Sequence, residues 1–303
     1  MKGLRDVLAD TEQRRVAIGH FNASDESTIK TIFETARKLS LTAAREIPVI
    51  VGASEGEREF QGAFEVASFV RFLRTHYDYP IFINADHTHS FEKAEEAIEA
   101  GFDEVLFDGA SLPLQENIAA TRRVVEVARR AKRDIIVEGE LGYIGSGSVM
   151  LDSLPQGAAL SEDSITRPEA AATFVHATGV DMFAPAVGNI HGMLKNAPNP
   201  HLFIKRIREI KQSVRIPMVL HGGSGIPDQD FVQAIDAGIN IIHISTELRR
   251  AWRNGIEESL RQSPEEVVPF KLLGPAYERL GQVVDARLRL FNKQAAVLLG
   301  TSA

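Results

Sequence analysis

The sequence predicts a closed (β/α)8 barrel (TIM barrel), one domain over residues 1–303 with a C-terminal helical extension. Three observations predict it. Short β-rich runs alternate with longer amphipathic stretches from end to end, eight such units in all. The runs are near-continuous apolar segments, as parallel strands covered on both faces require. A chain of 303 residues with 44% hydrophobic content can bury one large core.

The predicted strands are, in order, RVAIGHFN from Arg15, IPVIVGAS from Ile47, PIFINADH from Pro80 and DEVLFDG from Asp103. DIIVEGELG from Asp134, DMFAPAVG from Asp181, PMVLHGGS from Pro217 and INIIHIST from Ile239 follow. Amphipathic stretches between them include Ser27–Leu39, Phe91–Ala100, Leu114–Ala131, Pro168–Thr178, His201–Gln212 and Gln229–Ala237. Ser90 is placed to cap the helix that opens at Phe91. Gly101 and Gly238, each followed by an apolar residue, are placed as C-caps. Beyond the eighth run, Glu247–Arg261 and Ala276–Leu299 read as the eighth helix and the extension. Gly142–Leu160 is long, Gly/Ser-rich and weakly periodic; after the fifth strand it would lie on the catalytic face, where it is expected to act as a lid. A doubly wound open sheet is the alternative fold, but no GxGxxG opens a helix here.

The formal net charge of −7 argues against non-specific nucleic-acid binding. Cysteine is absent, which removes disulfide and thiolate chemistry and fits a cytoplasmic location. Met1–Asp10 lacks the apolar stretch of a signal peptide, and no run of about 18 apolar residues predicts a membrane span.

Active sites of such barrels lie at the C-terminal strand ends. Polar residues gather there in nearly every unit, among them Asn22, Ser54, Asp86, His87, Asp108, Glu138, Glu140, His191, His221, His243, Ser245 and Thr246. One histidine at a strand end is most simply a cap or a satisfied core group. Three, each closing its own apolar run, favour a metal: His87, His191 and His221 are the candidate ligands for Zn2+ or another divalent ion, leaving an open coordination position. Glu138 or Glu140 is a candidate fourth ligand or a partner fixing a ring tautomer, and Asp108 a further such partner; a basic neighbour inside the mouth would explain these carboxylates equally well. Asp86, beside a ligand, is placed to move a proton to or from a hydroxyl. Gly192, Lys195, Gly222, Ser224 and Thr246 form a candidate phosphate cradle, since glycine turns free backbone N–H groups and Lys195 adds charge.

With these residues in view, the chain resembles the class II, metal-dependent ketose-bisphosphate aldolases over nearly its whole length. The matching segments are AIGHFNAS, VGASEG, ADH, VLFDGASLPLQENI, VEGELG, GNIHGMLK, HGGSGIP, STELR and KLLGPA. The resemblance implies zinc or a similar ion on His87, His191 and His221, with Asp86 as general acid/base at the C4 hydroxyl. It implies that Gly192, Lys195, Gly222, Ser224 and Thr246 hold the phosphate of dihydroxyacetone phosphate, that Arg249 approaches the distal phosphate, and that Asn22 and Ser54 help place substrate. It further implies a phosphorylated sugar substrate, a monovalent cation and a homodimer or homotetramer.

The chain also departs from that pattern. His243 replaces an Asn that contacts the triose, Ser245 an Asp or Ala, and Ile241 a Lys; the loop reads GSGSVM where acidic residues are usual. A substrate other than fructose 1,6-bisphosphate is therefore expected, with His243 and Ser245 touching it. Two other activities compete: epimerisation or related chemistry on the same scaffold, and sugar-phosphate binding without catalysis. The HxH of metal hydrolases is echoed by His87-Thr88-His89, but on the third strand rather than the first.

Overall fold

The computed structural model describes residues 2–131 and 133–294. Its strands are β1 (Ile18–Asn22), β2 (Val49–Ala53), β3 (Ile81–Thr88), β4 (Glu104–Phe107), β5 (Ile136–Leu141), β6 (Met150–Leu151), β7 (Met182–Pro185), β8 (Met193–Leu194), β9 (Met218–Leu220) and β10 (Ile239–Ile244). Eight of them close a parallel barrel in the order β1-β10-β9-β7-β5-β4-β3-β2. Each corresponds to one predicted apolar run. The short pair β6 and β8 lies outside the barrel and forms a parallel ladder of its own.

The helices are α1 (Leu4–Arg14), α2 (Glu26–Ala43), α3 (Glu55–Gln61), α4 (Ala63–Tyr77), α5 (Phe91–Ala100), α6 (Leu114–Arg130), α7 (Pro168–Thr178), α8 (Ile204–Val214), α9 (Asp228–Ala237), α10 (Thr246–Gln262) and α11 (Pro269–Phe291). Ser90 caps α5 by accepting from Lys93 N at 3.2 Å. Gly101 and Gly238 end their helices at φ 101° and 118°, in the left-handed region that favours glycine.

Strand side chains alternate in direction. One set points outward and packs under the helices, in a core that includes Val49, Val51, Ile81, Ile83, Val105, Val137 and Phe183. The other set fills the barrel. At its N-terminal end Ile18, Ile50, Phe82, Ile136, Met182, Val219 and Ile241 form a separate apolar plug, which Leu4, Val7 and Leu8 of α1 close from below. Helix α1 had not been singled out in the sequence, since it belongs to no β-then-α unit.

The extension begins earlier than its apolar periodicity indicates. α11 opens at Pro269, which suits a first helical position, and carries Pro275 inside it. Its crossing with α10 is close: a Cβ on Gly255 would lie 2.4 Å from Ala276 Cα. Of the predicted stretch Ala276–Leu299, residues 295–299 lie outside the described residues. No helix among the described residues is long and apolar enough to cross a membrane.

Candidate active site

Two adjoining cavities open at the C-terminal end of the barrel. The larger, of about 330 Å³, is walled by Asn22, Ser54, Asp86, His87, Asp108, Glu140, residues 145–148 and Arg249 among others. The smaller, of about 30 Å³, lies beside it against Gly192, Gly222, Ser224, His243, Ser245 and Thr246, and shares Asp86, His87 and His191 with the first.

His87, His191 and His221 converge there. Each offers a nitrogen, and these atoms lie within 4.8 Å of one another. Ring centroids are 4.6 Å apart for His87 and His191, 4.9 Å for His87 and His221, and 6.1 Å for His191 and His221. Each ring is held through its other nitrogen. His87 Nδ1 meets Asp108 Oδ2 at 2.8 Å, His191 Nδ1 donates to Gly145 O at 3.0 Å, and His221 Nε2 meets Glu138 Oε1 at 2.8 Å. That leaves Nε2, Nε2 and Nδ1 facing the shared space, and His221 Nδ1 is buried with no hydrogen-bond partner. Orienting partners on the second nitrogen are what a histidine metal site uses. The donor set therefore fits a divalent ion.

Consecutive residues Asp86 and His87 both face the mouth, as a turn at a strand end allows. In β3 the register with β4 slips between Ala85 and Thr88, and His87 takes φ 44°, a left-handed conformation unusual for a non-glycine residue. The bulge turns both side chains inward. Arg58, buried on α3, holds it: Nη1 donates to Ala53 O and, at 3.2 Å, to Asp86 O, while Nη2 donates to Thr88 Oγ1 at 3.1 Å. Strain of this kind persists where surrounding contacts over-determine it.

Asp86 Oδ2 accepts from Asn22 Nδ2 at 2.8 Å, and Oδ1 is buried without a hydrogen bond. His243 Nδ1 lies 3.3 Å from Oδ1, an ion-pair distance without hydrogen-bond alignment. Burial alone would raise the Asp86 pKa; charge on His87, with His243 and His20 nearby, outweighs it and holds the carboxyl well below its ordinary range. His87 is pulled down by burial but pushed up to about 10 by Asp86, its bond to Asp108 and the charge of Glu140. Burial first, then the His87 charge, lowers His191 and His221 to about 3. Burial also raises Glu140, whose Oε2 is unpartnered and 3.8 Å from His87 Nδ1. Beneath His221, burial raises Glu138 to about 8 and the neighbouring Glu104 well above its usual range.

The other predicted residues divide. Gly192, Gly222, Ser224, His243, Ser245 and Thr246 meet at the small cavity, where Thr246 opens α10 and so presents a helix N-terminus. Gly222 has φ 61°, and a Cβ there would lie 2.2 Å from Ile190 O, so glycine is required by close approach as well as by conformation. Lys195 is not brought in: its Nζ bonds Asp152 Oδ1 at 2.8 Å, and it walls neither cavity. His89 is exposed, with its ring 6.5 Å from that of His87, and is no part of the triad. The 142–160 segment is tied at its base, where Ala159 N donates to Tyr143 O at 2.9 Å, and through β6 pairing with β8.

Three participants escaped the sequence analysis. Glu57, buried on α3, accepts from Ser54 N and Oγ, Asn22 Nδ2, Ser24 Oγ and Arg249 Nη2 at 2.8–3.1 Å. The Ser54-x-x-Glu57 spacing is a capping box and was the available signal. Arg58 is the second. The third, His20, stacks on His243 with centroids 3.4 Å apart and planes 3° from parallel.

The family model for class II fructose-bisphosphate aldolases matches residues 2–296. The chain belongs to that family. This aldolase is 34% identical over 292 residues to a fructose-bisphosphate aldolase of Staphylococcus epidermidis and 33% identical to one of Staphylococcus aureus, with 95% of this chain and 96% of the relative covered in each case. In structure it is similar to the YdjI aldolase of Escherichia coli K12, with a TM-score of 0.76, 24% identity and 96% of both chains covered. Aldol cleavage and condensation with a divalent metal is the family's chemistry, and a phosphorylated sugar its substrate class.

Proposed function

We propose that His87, His191 and His221 hold a zinc ion and that Asp86 is the proton-transfer group of a ketose-phosphate aldolase acting in the cytoplasm as a homo-oligomer. The observation that carries this reading is the convergence of three oriented imidazoles beside a carboxylate with one free, buried oxygen. When bound there, a divalent ion supplies Lewis-acid polarisation of the substrate carbonyl.

The chain's own residues supply the rest. Asp86 is ionised, so it accepts the C4 hydroxyl proton as the C3–C4 bond breaks and returns it on condensation. Asn22 holds Oδ2, which leaves Oδ1 as the basic atom. Backbone amides around Gly192, Gly222 and Ser224, with the α10 N-terminus at Thr246, orient the triose phosphate. Lys195 joins them only by leaving Asp152. Asp108 fixes the His87 tautomer, and Glu140, with Oε2 3.8 Å from the same His87 nitrogen, would ligate an ion only by turning toward the three imidazoles. His243 and Ser245 present a ring nitrogen and a hydroxyl, all without hydrogen-bond partners, where the family's triose contacts lie. Ser54 and Arg249 face the aldehyde half. The segment 142–160 covers the mouth.

The test is exchange of the C3 proton of dihydroxyacetone phosphate with solvent, with no aldehyde present. Metal-loaded protein is expected to catalyse it and chelator-treated protein to lose it. Exchange that survives metal removal would refute the assignment.

A further inference from the structure

The aldehyde side of the large cavity is built against negative charge. Among the described residues, Arg249 is the only lysine or arginine on its wall. Its charge is already matched: Nη2 lies 2.9 Å from Glu57 Oε1. Glu57 cannot readily turn away, because Ser54, Asn22 and Ser24 fix both of its oxygens and only 6% of the residue is exposed. The same wall carries the Glu55 carboxylate, tied to His89 N at 2.8 Å, and that of Asp108. It also carries the exposed His89 ring, 3.8 Å from Asp108, and hydroxyls from Ser54, Ser111, Tyr143, Ser146 and Ser148. A phosphate dianion placed there would meet an arginine whose charge Glu57 already balances, whereas sugar hydroxyls would find both donors and acceptors.

We infer that the aldehyde half of the substrate is an unphosphorylated hydroxyaldehyde, so that the preferred ketose carries a single phosphate, at C1. This rests on the aldolase reading above and narrows its substrate class. Glu57 then acts as a specificity residue through Arg249: it holds the guanidinium as a neutralised hydrogen-bond donor for hydroxyls rather than an anchor for an anion.

The experiment measures condensation of dihydroxyacetone phosphate with glyceraldehyde and with glyceraldehyde 3-phosphate, using the intact metal-loaded protein in its native assembly. Expected is a kcat/KM at least about tenfold higher for glyceraldehyde, the size of one unfavourable charge contact. A preference for the phosphorylated aldehyde, including one created by a cation from a second copy, would overturn the inference. Glu57→Gln frees Arg249, and is expected to move the ratio about tenfold or more toward the phosphorylated aldehyde. A folded variant with an unchanged ratio would also overturn it. The wild-type ratio stands alone if the variant does not fold. Proton exchange on dihydroxyacetone phosphate separates the two levels: intact exchange with the wrong aldehyde preference sinks only this inference, whereas lost exchange sinks the aldolase reading and this inference with it.

Discussion

The floor and the mouth of the barrel come from the same strands, two residues apart. Ile18, Phe82, Ile136, Val219 and Ile241 fill the floor. One period later on the same faces stand His20, Asn84, Glu138, His221 and His243. The floor is apolar and closed by α1. The mouth is as deeply buried, yet nearly every unpartnered side-chain nitrogen or oxygen inside the barrel belongs to it, on His20, Asn84, Asp86, Glu104, Glu138, Glu140, His221 and His243. Burying polar groups without partners is unfavourable. The floor therefore stabilises a scaffold for the mouth, where Asp86, Glu140, His221 and His243 line the cavities in which a cation and a polar substrate would meet them.

The contrast can be broken most severely at the ligands. Replacing His221 with Ala should abolish metal retention and activity together while the protein stays folded, as read by metal content and circular dichroism. Next, Asp86→Ala should keep the metal and lower kcat by about 10²–10⁴-fold, the usual worth of a general acid/base. A variant within a few-fold of wild type would show that another group moves the proton. Asp108→Asn removes the charge that orients His87, and metal affinity should drop about 10–100-fold by competition with a chromogenic chelator.

A subtler difference concerns protons. His191 and His221, near 3, are neutral at pH 7.5, whereas His87, near 10, is charged. A metal must displace a proton from His87 and from neither of the others. Uptake should release about one histidine proton, and affinity should weaken about tenfold per pH unit as pH falls below about 10. Calorimetry in buffers of different ionisation enthalpy would read this, and release of three protons would contradict the ordering. At the floor the expectation reverses: Phe82→Ala should cost about 3–5 kcal/mol of stability in denaturant melts, with metal stoichiometry and kcat per folded molecule unchanged.

The eight strands, their closure as a barrel and the three imidazoles were legible because each depends on local spacing: apolar runs and histidines at strand ends. What was hidden depends on contact across the closed barrel. Arg249 and Glu57 are 192 residues apart, and nothing local in either segment announces the pair. His20 sits mid-strand and reads alone as an ordinary core histidine; only closure of β1 on β10 sets it in register with His243. The β3 bulge is a backbone property that ADH does not encode by pattern. Lys195 shows the opposite limit: its charge beside the glycine turns suggested a cradle residue, and its amine is engaged by Asp152.

The most direct measurement is anomalous diffraction at the zinc edge from crystals of the metal-loaded protein. One peak per chain is predicted, bonded to His87 Nε2, His191 Nε2 and His221 Nδ1. A peak on His20, Asp86 and His243 instead, or none at full zinc occupancy in solution, would contradict it.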